Sequence, residues 1–257
     1  MLLERIRILL FGLWMLVYML YHAKTRFRLQ RLRRLGRGAE AEALVNARAT
    51  DWGRWVFRNL HCRLEVEGAE HIPHDQAFVV YCNHQSKYDI PALLAALDMG
   101  IGFVVKRELF RIPGLTYWMR QINCLPLDRK DVSGGAEALA GLAADLKRLH
   151  KGFIIFPEGT RTRDPAHTVQ PFRRGAIRLA SEQELPVLPV TIDGGYLLDS
   201  HEAMAATRHG GRLIRIRIEP LRRVPGNSAP VRRQFMDELF ETIRSNREAI
   251  RVEWPAA

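Results

Sequence analysis

Cysteine is scarce in this chain. Three occur in 257 residues, Cys62, Cys82 and Cys124, far apart and without any CxxC spacing. An odd, scattered set excludes a disulfide framework and a Cys-rich zinc site, and it favours a reducing compartment. The nine histidines form no HExxH or HxH pair, so no metal centre is expected. GxxxxGK[ST] is absent, which excludes a P-loop. GxSxG is absent as well, so Ser86 has no nucleophile elbow and lies too close to His84 for a serine hydrolase arrangement. Internal repeats, low-complexity tracts and long linkers are all missing. The uncharged run Ile8–Tyr21 holds only 14 residues. As a helix it would reach about 21 Å, against a hydrocarbon core of about 30 Å.

What is present builds a packed protein. Hydrophobic residues are 47% of the chain and charged residues 26%, which excludes wholesale disorder. The net charge of +11 first points to a polyanionic partner. Its distribution narrows the choice. Lys24–Arg37 has seven Lys/Arg and no acid, and Arg212–Arg233 has seven Arg and only Glu219. These stretches carry +7 and +6, so the rest of the chain is at −2. The first directly follows the apolar run, so an anionic membrane surface fits better than nucleic acid. The run itself admits three readings: a helix lying in one leaflet, a short span, or a buried core helix. Trp14, Tyr18 and Tyr21 suit an interface, and the monotopic reading is preferred. Gly38–Leu60 reads as a second helix completing a hairpin at that surface. Residues 1–60 are therefore expected to be a membrane-associating helical segment, and 61–257 a catalytic domain.

Beyond residue 60, short apolar strands alternate with helices. Strands are expected at Ala77–Cys82, Gly102–Val105, Cys124–Leu127, Phe153–Phe156 and Pro186–Ile192. Leu213–Ile218 alternates apolar residues with Arg, as an edge or half-exposed strand does. Helices are expected at Ile90–Leu97, Pro113–Gln121, Ala136–His150, Phe172–Ser181 and Arg232–Arg247. The pattern predicts an α/β fold with a central mixed, largely parallel sheet flanked by helices.

Four of these strands run directly into polar residues: Asn83-His84, Lys106-Arg107-Glu108, Asp128-Arg129 and Pro157-Glu158-Gly159-Thr160-Arg161. Ligands of open α/β sheets bind at the carboxyl ends of the strands, so four such junctions predict one site. Lys106, Arg129 and Arg161 would make it cationic and suited to a phosphate ester. His84 and Asp89 lie five residues apart, on different faces of a regular helix. They meet if His84 sits in the strand–helix turn and Asp89 in the first helical turn. Asp89 would then fix the tautomer of His84, making it a general base for a hydroxyl. The plainer reading is that Asn83 and Asp89 only cap the helix. In the second segment Gly159 permits a tight turn, Thr160 and Arg161 are phosphate donors, and Glu158 either orients Arg161 or accepts from a substrate hydroxyl. Its plain reading is a turn with a surface ion pair.

Asn83-His84-x-x-x-x-Asp89, followed some seventy residues later by Phe156-Pro157-Glu158-Gly159-Thr160-Arg161, resembles the glycerophospholipid acyltransferase superfamily. Within it the chain most resembles the bacterial lysophosphatidate acyltransferases, over about Val66 to Pro220. Arg129 matches the Arg that closes the family's second motif, although Asn123 and Pro126 depart from that motif. Leu185–Val190 resembles its fourth, a proline-containing strand beside the acyl site. The resemblance implies transfer of an acyl group from acyl-CoA or acyl carrier protein to the sn-2 hydroxyl of lysophosphatidate, with no acyl-enzyme, metal or cofactor. It implies His84 and Asp89 as the catalytic pair, and Arg129, Glu158, Gly159 and Arg161 around the glycerophosphate. Thr160 and Lys106 are added from their places at the strand ends. A place on the cytoplasmic face of the inner membrane goes with this reading, and nucleic acid is not a partner. Sister enzymes acting on glycerol-3-phosphate, another lysophospholipid or lyso-ornithine lipid share the motif pair and stay open.

Overall fold

The computed structural model describes residues 23–112, 114–127, 135–162, 168–199 and 212–251. The run Ile8–Tyr21, Pro113 and Arg129 lie outside them. Two helices open the described chain, α1 (Ala23–Arg34) and α2 (Gly38–Asn59). Strand β1 (Cys62–Glu67) follows, then β2 (Phe78–Cys82), α3 (Asp89–Ala96), β3 (Gly102–Lys106) and α4 (Leu115–Gln121). After β4 (Leu125–Leu127) come α5 (Gly135–Leu149), β5 (Gly152–Ile155), α6 (Arg178–Glu182) and β6 (Val187–Asp193). Strand β7 (Arg212–Ile218) and helix α7 (Ala229–Ala249) complete it. Among the described residues, no helix is long and apolar enough to cross a membrane.

The strands form one seven-stranded sheet in the order β1-β7-β6-β2-β5-β3-β4. All neighbours are parallel except β6 and β7. Strands β2 to β6 therefore share one direction, and β1 and β7 run the other way. The mixed, largely parallel sheet expected from the sequence is present. The four strands singled out by their polar ends stand side by side, β2-β5-β3-β4, with their carboxyl ends on one edge.

Strand β2 shows why its sequence is apolar throughout. Phe78, Val80 and Cys82 join the core on one face, with α1, α2 and α3. Val79 and Tyr81 join the core on the other, with α5, α6 and α7. A strand covered on both faces reads as a continuous apolar run. Helix α1 buries Leu29 and Leu32 and leaves Lys24, Arg26, Arg28, Arg31, Arg33 and Arg34 outward. Helix α2 meets α3 backbone to backbone at Gly53, where a Cβ would stand 2.5 Å from the Pro91 carbonyl oxygen.

Two expectations are corrected. Leu213–Ile218 is half-exposed as expected but is not an edge. It pairs with β6 on one side and on the other with β1, which the sequence reading missed. The register sets Glu65 opposite Arg215 and Glu67 opposite Arg217, and each pair forms a salt bridge, at 3.1 and 2.8 Å. Part of the second basic stretch is thus neutralised within the sheet. The helix expected from Pro113 begins two residues later, because Gly114 at φ 81° caps it in a conformation that glycine tolerates.

Candidate active site

The first segment is shaped from the end of β2. Asn83 is buried, and its carboxamide closes two hydrogen bonds with the backbone of Ile192 on β6. Its Nδ2 donates to the carbonyl at 2.8 Å, and its Oδ1 accepts from the amide at 2.9 Å. This ties the departing chain to the neighbouring strand. The turn that follows brings His84 back over Asp89, the first residue of α3.

Asp89 is completely buried. Its Oδ2 accepts from His84 Nδ1 at 2.8 Å and from the backbone amides of Gln85 and Ser86 at 2.7 and 2.8 Å. The plainer reading, that Asn83 and Asp89 only cap the helix, does not hold: α3 has no side-chain cap, Asn83 binds β6, and Asp89 Oδ2 holds the turn before the helix together with the imidazole. Its other oxygen, Oδ1, has no hydrogen-bond partner and faces Gly195, where a Cβ would approach to 2.6 Å. An ionised carboxylate only accepts, so Nδ1 carries a proton, and in the neutral imidazole this assigns the lone pair to Nε2. The ring of Phe156 stacks on the imidazole, with centroids 4.0 Å apart and planes 18° apart. One face of the ring is thus covered and Nδ1 engaged, and 19% of the side chain stays exposed.

The second segment grips the backbone of the same histidine. Glu158 is buried, and its Oε1 accepts from the His84 amide at 2.7 Å. Thr162 donates its amide to the His84 carbonyl at 2.9 Å. The other Glu158 oxygen accepts from the Gln170 amide at 3.0 Å. Glu158 is thus a brace between loops. Burial is the main cause that pushes its carboxyl up from 4.5 to about 7, against the opposing effect of the two amide donors. Gly159, at φ 68°, closes the turn by donating to the Phe156 carbonyl at 3.0 Å. A side chain there would strike Arg173, whose Nε lies 2.4 Å from the position of a Cβ. Arg173 in turn donates Nε to the Glu158 carbonyl at 3.1 Å.

Thr160 and Arg161 follow on the exposed part of this loop. Lys106 ends β3, the strand beside β5, and is also exposed. Arg129 lies outside the described residues. The structure therefore joins His84, Asp89 and Glu158 directly and places Gly159, Thr160, Arg161 and Lys106 on the same sheet edge. Sequence reasoning missed Arg173 and Gly195. Their partners lie far away in the chain, and the only local signals were the Arg-Arg-Gly and Gly-Gly runs after the motif and after β6. The three cysteines are buried. Desolvation pushes the thiols of Cys62 and Cys124 up to about 12 and raises Cys82 as well, so none offers a thiolate. Among the described residues, no group of three or more His, Cys, Asp or Glu side chains is arranged to hold a metal ion.

Known proteins resemble this chain in sequence and in fold. A sequence profile described as "Acyltransferase" matches residues 63–193, about half of the chain. The 1-acyl-sn-glycerol-3-phosphate acyltransferase alpha of Homo sapiens is 33% identical over 132 residues, which cover 51% of this chain and 45% of that protein. The chain thus spans about half the length of such curated relatives. The 1-acyl-sn-glycerol-3-phosphate acyltransferase of Bacillus subtilis is 29% identical over 142 residues, covering 54% of this chain and 67% of that one. The crystal structure of the 1-acyl-sn-glycerophosphate acyltransferase PlsC from Thermotoga maritima superposes with a TM-score of 0.79 at 29% identity. That match covers 98% of this chain and 99% of the other.

Proposed function

We propose, from the premise that this chain belongs to the acyltransferase family, that it moves a fatty acyl group from an acyl thioester to the sn-2 hydroxyl of 1-acyl-sn-glycerol-3-phosphate, giving phosphatidate. The observation that carries the reading is the dyad. His84 engages a completely buried Asp89 through Nδ1 at 2.8 Å, at the carboxyl edge of the sheet, which leaves Nε2 for the acceptor hydroxyl. Nε2 takes the proton of the acceptor hydroxyl as its oxygen attacks the thioester carbonyl. Asp89 stabilises the imidazolium, and the departing thiolate receives the proton when the tetrahedral intermediate collapses. No acyl-enzyme is needed. General-base assistance of this kind contributes about 10²–10⁴ in rate, roughly 3–5 kcal/mol.

Thr160, Arg161 and Lys106 are the described candidates for the acceptor phosphate, and the motif resemblance adds Arg129, which lies outside the described residues. Gly159 shapes their loop and Glu158 braces it from beneath. The acyl donor is acyl-CoA or acyl carrier protein, and no bound cofactor enters the reaction. Residues 1–60 form the membrane-associating segment, 61–257 the catalytic domain, and the protein works on the cytoplasmic face of the inner membrane. The outward cations of α1, beside the 71% exposed Phe27, support that anchoring.

The test is transfer of labelled acyl groups from each donor to a panel of acceptors in mixed micelles: lysophosphatidate, glycerol-3-phosphate, another lysophospholipid and lyso-ornithine lipid. Lysophosphatidate is expected to be the preferred acceptor, and preference for another would overturn the substrate. His84→Ala is expected to leave under about a tenth of the activity in a folded protein. Greater retention removes His84 as the base.

A further inference from the structure

The turn that presents His84 is held from a third direction, one that neither motif includes. Gln85 is buried, and its backbone amide is one of the three donors on Asp89 Oδ2. Its side chain turns the opposite way and donates Nε2 to Asp193 Oδ1 at 2.8 Å. Asp193 is the last residue of β6 and has no exposed surface. The same Oδ1 accepts from Arg247 Nε at 3.1 Å, and Arg247, in the last turn of α7, is 2% exposed. Arg247 also places Nη1 3.2 Å from Glu248.

Fold stability is a poor reason for such a pair. Two charges taken out of water cost several kcal/mol each, and apolar residues of similar size are often as stable or more so. What the pair supplies is a fixed, ionised acceptor at a defined point beneath the turn. A carboxylate that can only accept dictates which end of the Gln85 carboxamide faces it. The side chain next to His84 therefore has one orientation, and the amide given to Asp89 has one position.

We propose that Gln85, Asp193 and Arg247 form a positioning relay through which the C-terminal helix sets the pose of His84. The relay rests on the acyl-transfer reading above. None of its members touches substrate. Their work is to hold the imidazole within the small tolerance that proton transfer allows, where a misplacement of about 1 Å costs about a hundredfold in rate. The effect belongs in kcat, because the acceptor phosphate is held by other residues.

The experiment is a kinetic cycle on the full chain in mixed micelles. Gln85→Met removes the link and leaves the buried ion pair intact. Asp193→Leu/Arg247→Met removes the acceptor and its counter-charge together, which keeps the core neutral and avoids stranding a buried charge. Each is expected to lower kcat by about 10- to 100-fold with KM for lysophosphatidate within about twofold. The triple variant is expected to be no worse than the weaker of the two by more than about twofold, since both cut one path. Thermal melting reports the folded fraction, to which kcat is normalised. Gln85→Met with more than half the normal kcat overturns the relay. So do losses that multiply in the triple variant, or a loss found in KM alone. These outcomes leave His84→Ala inactive and the wild type active. Failure of the acyl-transfer reading itself is distinct, because the wild type would then transfer to no acceptor or His84→Ala would keep its activity.

Discussion

Glu158→Gln should make the protein more stable and a poorer catalyst. The carboxyl of Glu158 is moved by burial from 4.5 to about 7, which is worth about 3 kcal/mol. The folded state holds this proton more tightly than the unfolded chain does. Glu158 therefore supports the fold fully below about pH 4.5, loses that support as pH rises, and carries the whole penalty above about pH 7. Glutamine has the shape of the neutral carboxyl and does not ionise. The two proteins should melt together near pH 4.5 and separate as pH rises, with the variant ahead by about 3 kcal/mol, or about 6–12 °C, at pH 8. Activity should move the other way. The ionised carboxylate accepts from both His84 and Gln170, whereas an amide offers one acceptor and turns a donor toward the other N–H. One side of the brace is lost, and kcat should fall about tenfold or more as His84 loosens. Thermal melts from pH 4.5 to 8.5, with kcat at pH 8, check both halves. Parallel melting curves would refute the burial of an ionised carboxylate, and an unchanged kcat would refute its role as a brace.

Gly195→Ala places a methyl group 2.6 Å from Asp89 Oδ1 and 3.2 Å from Ser86 Cβ. With Asp89 Oδ2 held by three donors, the strain should cost about 1–3 kcal/mol in stability and lower kcat at least about tenfold. A normal kcat in a folded variant would show that the carboxylate yields without disturbing His84. On the surface, Arg215→Gln/Arg217→Gln should leave binding to anionic vesicles within about twofold, because both arginines already face glutamates across β1. Neutralising Arg28, Arg31 and Arg34 on α1 should weaken it by about a hundredfold, at about 1 kcal/mol for each cation near the surface. Equal effects in vesicle sedimentation would place the membrane contact elsewhere.

The legible parts of this molecule were those whose causes are local. A strand buried on both faces must be apolar, so β2, β5 and β6 stood out. A turn at a strand end must carry polar residues, so His84, Asp89 and the loop from Glu158 to Arg161 were found together. Strand β1 was missed because CRLEVE alternates charge with apolar residues, and its meaning depends on β7, about 150 residues later. The same distance hid the pairing that turns Arg215 and Arg217 from free cations into partners of Glu65 and Glu67. Glu158 was identified as a functional residue, but its geometry depends on two amides, His84 and Gln170, and the sequence places neither beside it. Residue types at strand ends are written locally. The contacts that hold them are made by strand order, which the sequence does not list.

His84 is pinned on one face by Phe156 and through Nδ1 by Asp89, so its ring has one pose and one nitrogen for both halves of the proton's journey. In the proposed transfer the proton collected from the alcohol would be handed to the sulfur by the same nitrogen, without rotation of the ring. Both substrates therefore have to be present at once and converge on that edge. For the proposed transfer this means a ternary complex: double-reciprocal plots should intersect, and a labelled free thiol should not exchange into the acyl donor until the acceptor is added.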